Sequence, residues 1–253
     1  MKRELKTFRS TNLDRYMDML VYGEKGWPLI AFATQDSPCT NFEDFGLVDT
    51  MADYIEGGQI QLFCVSNVDK QTWSDEYGDK DARARLLEAY YQYVFEELVP
   101  YVQKVNGSKL RPLTMGCSMG ATHSVICALR RPDLFQGCIA LSGVYDAHYF
   151  FDDWMSPELY LNSPTDFVPN MPADHPLIPV YNQRQLVLCV GRGAWEDEGI
   201  RTQGILSDAF TRLGINAWCD FWGQDVNHDW PWWKKQIRYF MPLVLEDAKK
   251  GGE

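Results

Sequence analysis

Apolar positions along the chain fall into short continuous runs and longer helical stripes, and the two kinds of segment alternate. Residues 4–10 and 14–22 read as a first antiparallel pair turning at Asn12. PLIAFAT (28–34) and IQLFCVSNV (60–68) are apolar runs of the kind buried on both faces in a central sheet. Between them, a helical stretch near 43–56 stops at Gly57-Gly58. Residues 81–105 repeat Leu86, Leu87, Tyr90, Tyr91, Val94 and Leu98 as one helical face. Further units follow: strand 110–117 with helix 119–130, strand 136–142, strand 184–191 with helix 198–213, and strand 216–223 before a terminal apolar helix, 230–246.

This alternation predicts an α/β protein with about eight strands in a mostly parallel sheet and helices on both faces. The interval 143–183 breaks the rhythm. It carries Pro157, Pro164, Pro169, Pro172, Pro176 and Pro179, too many for long helices. An irregular insertion of this length reads as a lid or binding loop, the plainer alternative being an excursion that covers the core.

Composition narrows the class. The chain has 253 residues, 45% of them hydrophobic and 23% charged, which is ordinary globular usage. One domain spanning 1–253 is expected. The net charge of −11 repels phosphate backbones and anionic lipid, so neither a nucleic acid nor a membrane is an expected partner. The N-terminal MKRELKTFRSTNLDRY has no apolar run after its basic residues and does not read as a secretory signal. Of seven cysteines, Cys64, Cys117, Cys127, Cys138 and Cys189 sit inside apolar segments, and no CxxC spacing occurs. Reduced, packed thiols and a cytoplasmic location follow as expectations. Exposed aromatic edges could support a homo-oligomer, though nothing in the sequence requires one.

The sharpest chemical signal is Gly116-Cys117-Ser118-Met119-Gly120. A GxSxG pattern gains mechanical meaning when a strand precedes it and a helix follows, as predicted here. Such a turn holds its serine in a strained conformation above the sheet, and the helix N-terminus favours developing negative charge. Serine needs a base. His228, in GQDVNHDW, follows the last predicted strand and returns to the same sheet edge. His123 falls inside the helix after Ser118 and reads as a packed histidine, and His148 and His175 lie in the insertion. A third group should orient the imidazole. The loop GRGAWEDEG after strand 184–191 offers Glu196, Asp197 and Glu198, with Glu196 the first choice and Asp197 the reserve. For the oxyanion, the backbone N–H of Met119 is the first donor and that of Gln35 the second, Asp36 being hard to separate from it.

Aromatic residues gather around these loops. Trp73 and Trp195 are the pocket candidates, with Tyr145 beside them, whereas Trp232 and Trp233 are expected to face the core. A metal site built from Asp225, His228 and Asp229 would crowd one short loop, and none is expected. No cofactor is required by this chemistry.

With these residues in place, the chain resembles the esterase family of α/β hydrolases, relatives of which include S-formylglutathione hydrolases, feruloyl and acetylxylan esterases, and mycolyltransferases. The likeness spans roughly residues 14–245 and is carried by GCSMG (116–120), RRPDLFQGCIALSGVYD (130–146), GRGAWE (191–196) and DVNHDWPWW (225–233). It implies an α/β-hydrolase fold, a triad of Ser118, Glu196 and His228, no metal or organic cofactor, and a small-molecule ester substrate cleaved through an acyl-serine. The chain departs from the family in lacking His-Gly-Gly after strand 28–34. Acyl transfer by the same triad, or a catalytically silent binding module on the same fold, are the alternative readings.

Overall fold

In the computed structural model, which describes residues 1–251, eight strands make one sheet. They are β1 (Arg3–Ser10), β2 (Arg15–Tyr22), β3 (Trp27–Phe32), β4 (Ile60–Val65), β5 (Leu113–Cys117), β6 (Gly137–Leu141), β7 (Gln185–Val190) and β8 (Ala217–Phe221). Their spatial order is β1-β2-β4-β3-β5-β6-β7-β8. β2 runs antiparallel to both β1 and β4, and every other pairing is parallel. This is the α/β-hydrolase fold.

Burial follows the pattern of the sequence. β3, β4, β5 and β6 are buried at every position, as continuous apolar runs require. β1 alternates exposed and half-buried residues and carries Arg3, Glu4, Lys6 and Arg9, charges that discourage pairing at an open sheet edge. Alternate residues feed opposite faces: Leu29 and Ala31 join one core, Ile30 and Phe32 another.

Four long helical segments clothe the sheet: α1 (Lys80–Asn106), α2 (Met119–Arg130), α3 (Asp197–Leu213) and α4 (Trp230–Gly251). α1 opens on Asp79, whose carboxylate accepts from the Ala82 N–H at 2.8 Å. It is not uniformly α-helical, because Tyr93–Leu98 forms a π turn. Tyr93, Val94 and Phe95 are all buried there, and the wider turn brings inward more consecutive side chains than one α-helical face holds. α4 and three short turns within 41–56 cover one face of the sheet, while α1, α2 and α3 cover the other. The stretch expected as one helix near 43–56 is thus interrupted, and its break at Gly46 has φ +71.

The insertion 143–183 contains the short helices His148–Phe151, Pro157–Tyr160, Pro164–Phe167 and Ile178–Tyr181. Proline begins two of them, where its missing N–H costs nothing. Phe151, Leu159 and Val168 are fully buried in the cores, so these segments lie against the body of the protein.

Register decides where loops can meet. Phe32 lies opposite Gly116, Cys117 opposite Leu141, Leu141 opposite Cys189, and Val190 opposite Phe221. The carboxyl ends of five neighbouring strands therefore form one rim, the usual ligand edge of an open α/β sheet.

Candidate active site

Between β5 and α2 the chain turns at Ser118, with φ 55 and ψ −125. The Ser118 N–H donates to the Leu141 carbonyl at 2.9 Å, and its own carbonyl accepts from the Ala121 N–H at 2.9 Å. The turn is thereby pinned to the sheet on one side and the helix on the other. Its side chain makes no capping bond. The flanking glycines are steric requirements. A Cβ on Gly116 would lie 2.1 Å from the Gly120 carbonyl group, and one on Gly120 would lie 2.2 Å from the Phe32 carbonyl oxygen. Backbone packs directly on backbone at this elbow.

Two loops, after β7 and after β8, are laced together. The Arg192 N–H donates to Gly223 O (3.1 Å), the Gly193 N–H to Val226 O (2.9 Å) and the His228 N–H to Ala194 O (3.0 Å). The Ala194 N–H reaches Asn227 Oδ1 at 2.8 Å. A Cβ at Gly191 or Gly193 would stand 2.0 and 2.1 Å from Val226 O and Asn227 Oδ1, so this approach needs both glycines. Trp195 then takes φ 66, which leaves its indole 87% exposed while the next residue, Glu196, is completely buried.

Inside, His228 Nδ1 lies 3.2 Å from Glu196 Oε2. Glu196 Oε1 accepts from Ser142 Oγ at 2.7 Å and from the Gly191 N–H at 3.3 Å. Both carboxylate oxygens therefore have partners, as burial of a charge demands. With Nδ1 engaged, Nε2 is the free ring nitrogen, and His228 lines a cavity of about 300 Å³ together with Ser118. Met119 and Gln35 line the same cavity. Neither of their backbone N–H groups has a backbone hydrogen-bond partner among the described residues. The Gln35 loop is held from outside: Gln35 Nε2 donates to Ser74 Oγ (2.8 Å), which donates to Asp36 Oδ1 (2.7 Å).

The sequence matches the model of the Esterase family ("Putative esterase") over residues 29–242. The chain belongs to the Esterase family. Membership makes it a hydrolase of carboxylic esters. The fold of this esterase is similar to a ferulic acid esterase at 18% identity, covering 98% of each chain with a TM-score of 0.75. It is also similar to an S-formylglutathione hydrolase from Staphylococcus aureus at 17% identity, with 96% of each chain covered and a TM-score of 0.70. MPT51 of Mycobacterium tuberculosis aligns at 12% identity over 98% of this chain and 99% of its own, with a TM-score of 0.74. No curated protein sequence matches this esterase.

Most residues singled out from the sequence meet at this rim. Ser118, His228, Met119, Gln35, Trp195 and Asp197 line the cavity, and Glu196 stands behind His228. Two do not. Trp73 is 1% exposed, its ring 5.1 Å from that of Phe150, so it packs behind a residue of the cavity wall and does not line the cavity itself. Tyr145 is equally buried and sits in the core beneath α2 and α3. The aromatic rings that line the cavity are those of Tyr149, Phe150 and Trp195. An apolar ring on a loop is read as a pocket wall or a core plug only once its neighbours are known.

Other clusters have structural explanations. His123 is fully buried, Tyr91 Oη at 2.8 Å from its Nδ1 and Asp69 Oδ1 at 2.9 Å from its Nε2. Asp146, His148 and Asp166 gather in the insertion, yet each already has a protein partner. Arg201 pairs with Asp146, Ser163 Oγ donates to Asp166, and the Asp152 carbonyl accepts from His148 Nδ1. Burial pushes the thiol of Cys117, beside the elbow, far above its ordinary range, and that of Cys138 up to about 12. No helix of the described residues is long and apolar enough to cross a membrane.

Ser142 and Trp233 were not singled out as site residues by sequence. Trp232 and Trp233 were both expected to face the core; Trp233 is buried there, whereas Trp232 is only half-buried, with the Lys235 ammonium 4.0 Å over its ring. The only available signal for Ser142 was its place directly after strand β6, one strand over from the elbow.

Proposed function

We propose that this esterase cleaves its ester through an acyl-serine at Ser118, with His228 as general base and Glu196 as the group that orients it. The observation that carries this reading is that buried Glu196 engages His228 Nδ1 while His228 and Ser118 line the same cavity. Ser118 Oγ attacks the carbonyl carbon as its proton passes to His228 Nε2. Glu196 stabilises the imidazolium without taking its proton. The oxyanion is met by the N–H groups of Met119 and Gln35, unused by the fold and held rigid by α2 and by the Ser74–Asp36 bonds. The imidazolium then protonates the departing alcohol. Water attacks the acyl carbon as His228 draws its proton, and the imidazolium returns that proton to Ser118 Oγ as the acyl–Oγ bond breaks and the acid is released.

Val144, Tyr149, Phe150 and Trp195 give the cavity apolar and aromatic walls. They support a small acyl group, aromatic or apolar, in a volume of about 300 Å³. Asp197 and Glu198 are the acidic groups at its edge, and neither lysine nor arginine lines it, so uncharged acyl groups fit better than anionic ones.

Ser118→Ala tests the reading. Turnover of p-nitrophenyl acetate should fall to background while the unfolding temperature stays near that of the parent. Undiminished turnover by the variant refutes it.

A further inference from the structure

We propose that Ser142 and Trp233 form a clamp that fixes the geometry of the Glu196–His228 pair, making them positioning residues for ester cleavage. This rests on the roles assigned above to Ser118, His228 and Glu196.

Four side chains close a ring. Trp233 Nε1 donates to Ser142 Oγ at 2.9 Å. Ser142 Oγ donates to Glu196 Oε1 at 2.7 Å. Glu196 Oε2 meets His228 Nδ1 at 3.2 Å, and the His228 ring packs edge-on against Trp233, centroids 5.0 Å apart and planes at 81°. The direction of these bonds follows from chemistry. An indole N–H can only donate, so it takes a lone pair of the serine oxygen. The hydroxyl proton is then free for the carboxylate, and Ser142 is set as a donor to Glu196.

The consequence is mechanical. A carboxylate held at one oxygen can swivel, whereas Glu196 is held at both, Oε1 by Ser142 Oγ and the Gly191 N–H (3.3 Å) and Oε2 by His228 Nδ1. The imidazole could pivot about its bond to Glu196, and the Trp233 ring closes one side of that swing. Trp233 thus touches both ends of the pair, through its N–H by way of Ser142 and through its ring directly. Ser142 is 1% exposed and its own N–H is tied to Cys189 O at 2.7 Å, so the hydroxyl has little freedom to seek other partners. Its φ of 57 is costly for any residue with a Cβ. A glycine would relieve that strain but would supply no donor.

That contrast defines the experiment. Ser142→Gly, Ser142→Ala and Trp233→Phe are compared with the parent using p-nitrophenyl acetate, with Ser118→Ala as blank. Phenylalanine keeps an aromatic ring against His228 but lacks the N–H. Ser142→Gly should lower kcat by about tenfold to a hundredfold, the scale expected when a catalytic group is slightly misplaced. KM should stay within about twofold, since ground-state binding is untouched. The downfield proton resonance of His228 Nδ1–H should shift or broaden. Trp233→Phe should lower kcat less, and the double variant should be no worse than Ser142→Gly alone, because both cut the same chain of bonds.

A Ser142→Gly protein with the parent's kcat and an unmoved resonance overturns the clamp. Should that variant fail to fold, unchanged kcat and resonance in Trp233→Phe overturn it equally. Loss of kcat that merely follows loss of folded protein, judged by thermal unfolding, also counts against it. If the parent itself neither hydrolyses the ester nor takes a fluorophosphonate on Ser118, the triad reading falls and the clamp with it. A parent active and labelled at Ser118 beside an unimpaired Ser142→Gly defeats the clamp alone.

Discussion

Glu196 and His228 are 32 residues apart in the chain, yet Oε2 of one lies 3.2 Å from Nδ1 of the other. The approach is made by backbone before side chains take part. The loop after β7 and the loop after β8 are stitched by four hydrogen bonds to which Gly191 and Gly193 give access. Asp197, the next residue and chemically almost equivalent, is turned outward to the cavity edge.

Glu196→Gln should therefore lower kcat by about 10²–10⁴-fold, the range set by loss of a triad carboxylate in serine hydrolases. Asp197→Asn should cost only a small fraction of that. Steady-state kinetics on one activated ester separates the two. Equal losses would mean that the buried carboxylate is not the orienting group.

Gly120→Ala places a methyl group 2.2 Å from the Phe32 carbonyl oxygen, in a region where neither helix nor strand can retreat. Overpacking of this kind costs about 1–3 kcal/mol or more. Denaturant unfolding should show a lowered midpoint, and soluble variant should label poorly with a fluorophosphonate. A midpoint equal to the parent's would show that the elbow has room to relax.

The thiols should be quiet. Cys39, Cys64, Cys117, Cys127, Cys138 and Cys189 are buried and free, and burial raises each of them above the ordinary cysteine range. Iodoacetamide at neutral pH should leave ester turnover intact for as long as the protein stays folded. Rapid inactivation, with mass spectrometry placing the adduct on Cys117, would contradict this.

His148 gives a pH dependence with a definite sign. Its pKa is raised, chiefly by the bond to the Asp152 carbonyl and further by Asp166 and Asp146. The folded protein therefore holds this proton more tightly than the unfolded chain. The stabilisation is complete below the unfolded value of about 6.5 and disappears as pH rises through the higher folded value. Unfolding temperatures measured from about pH 5.5 to pH 8.5 should fall more for the parent than for His148→Gln. Parallel curves would remove His148 from the account.

Much of the fold was legible because strand and helix are short-range patterns. Continuous apolar runs marked β3 to β7, and the spacing of Leu87, Tyr91, Val94 and Leu98 marked α1. The π turn at Tyr93–Leu98 was not legible, since an α stripe tolerates one extra buried residue without losing its period. That Ser118 and His228 would line one cavity was legible from their positions after predicted strands. Trp73 and Tyr145 were misread because an aromatic residue near a loop carries no mark of the side on which its neighbours lie.

The sequence by itself determined the alternating α/β plan, the elbow serine, the late histidine and the short run of acidic residues from which its partner would come. These are local choices, set by hydrophobic period, by turn chemistry and by glycines where a Cβ cannot go. Tertiary structure alone decided which acid turns inward, which aromatic rings face the cavity, and that the hydroxyl of Ser142 and the indole of Trp233 join the buried carboxylate. Those outcomes depend on backbone segments from different strands meeting at one rim. A change of a single φ, such as that of Trp195, exchanges inward and outward neighbours without altering any local pattern.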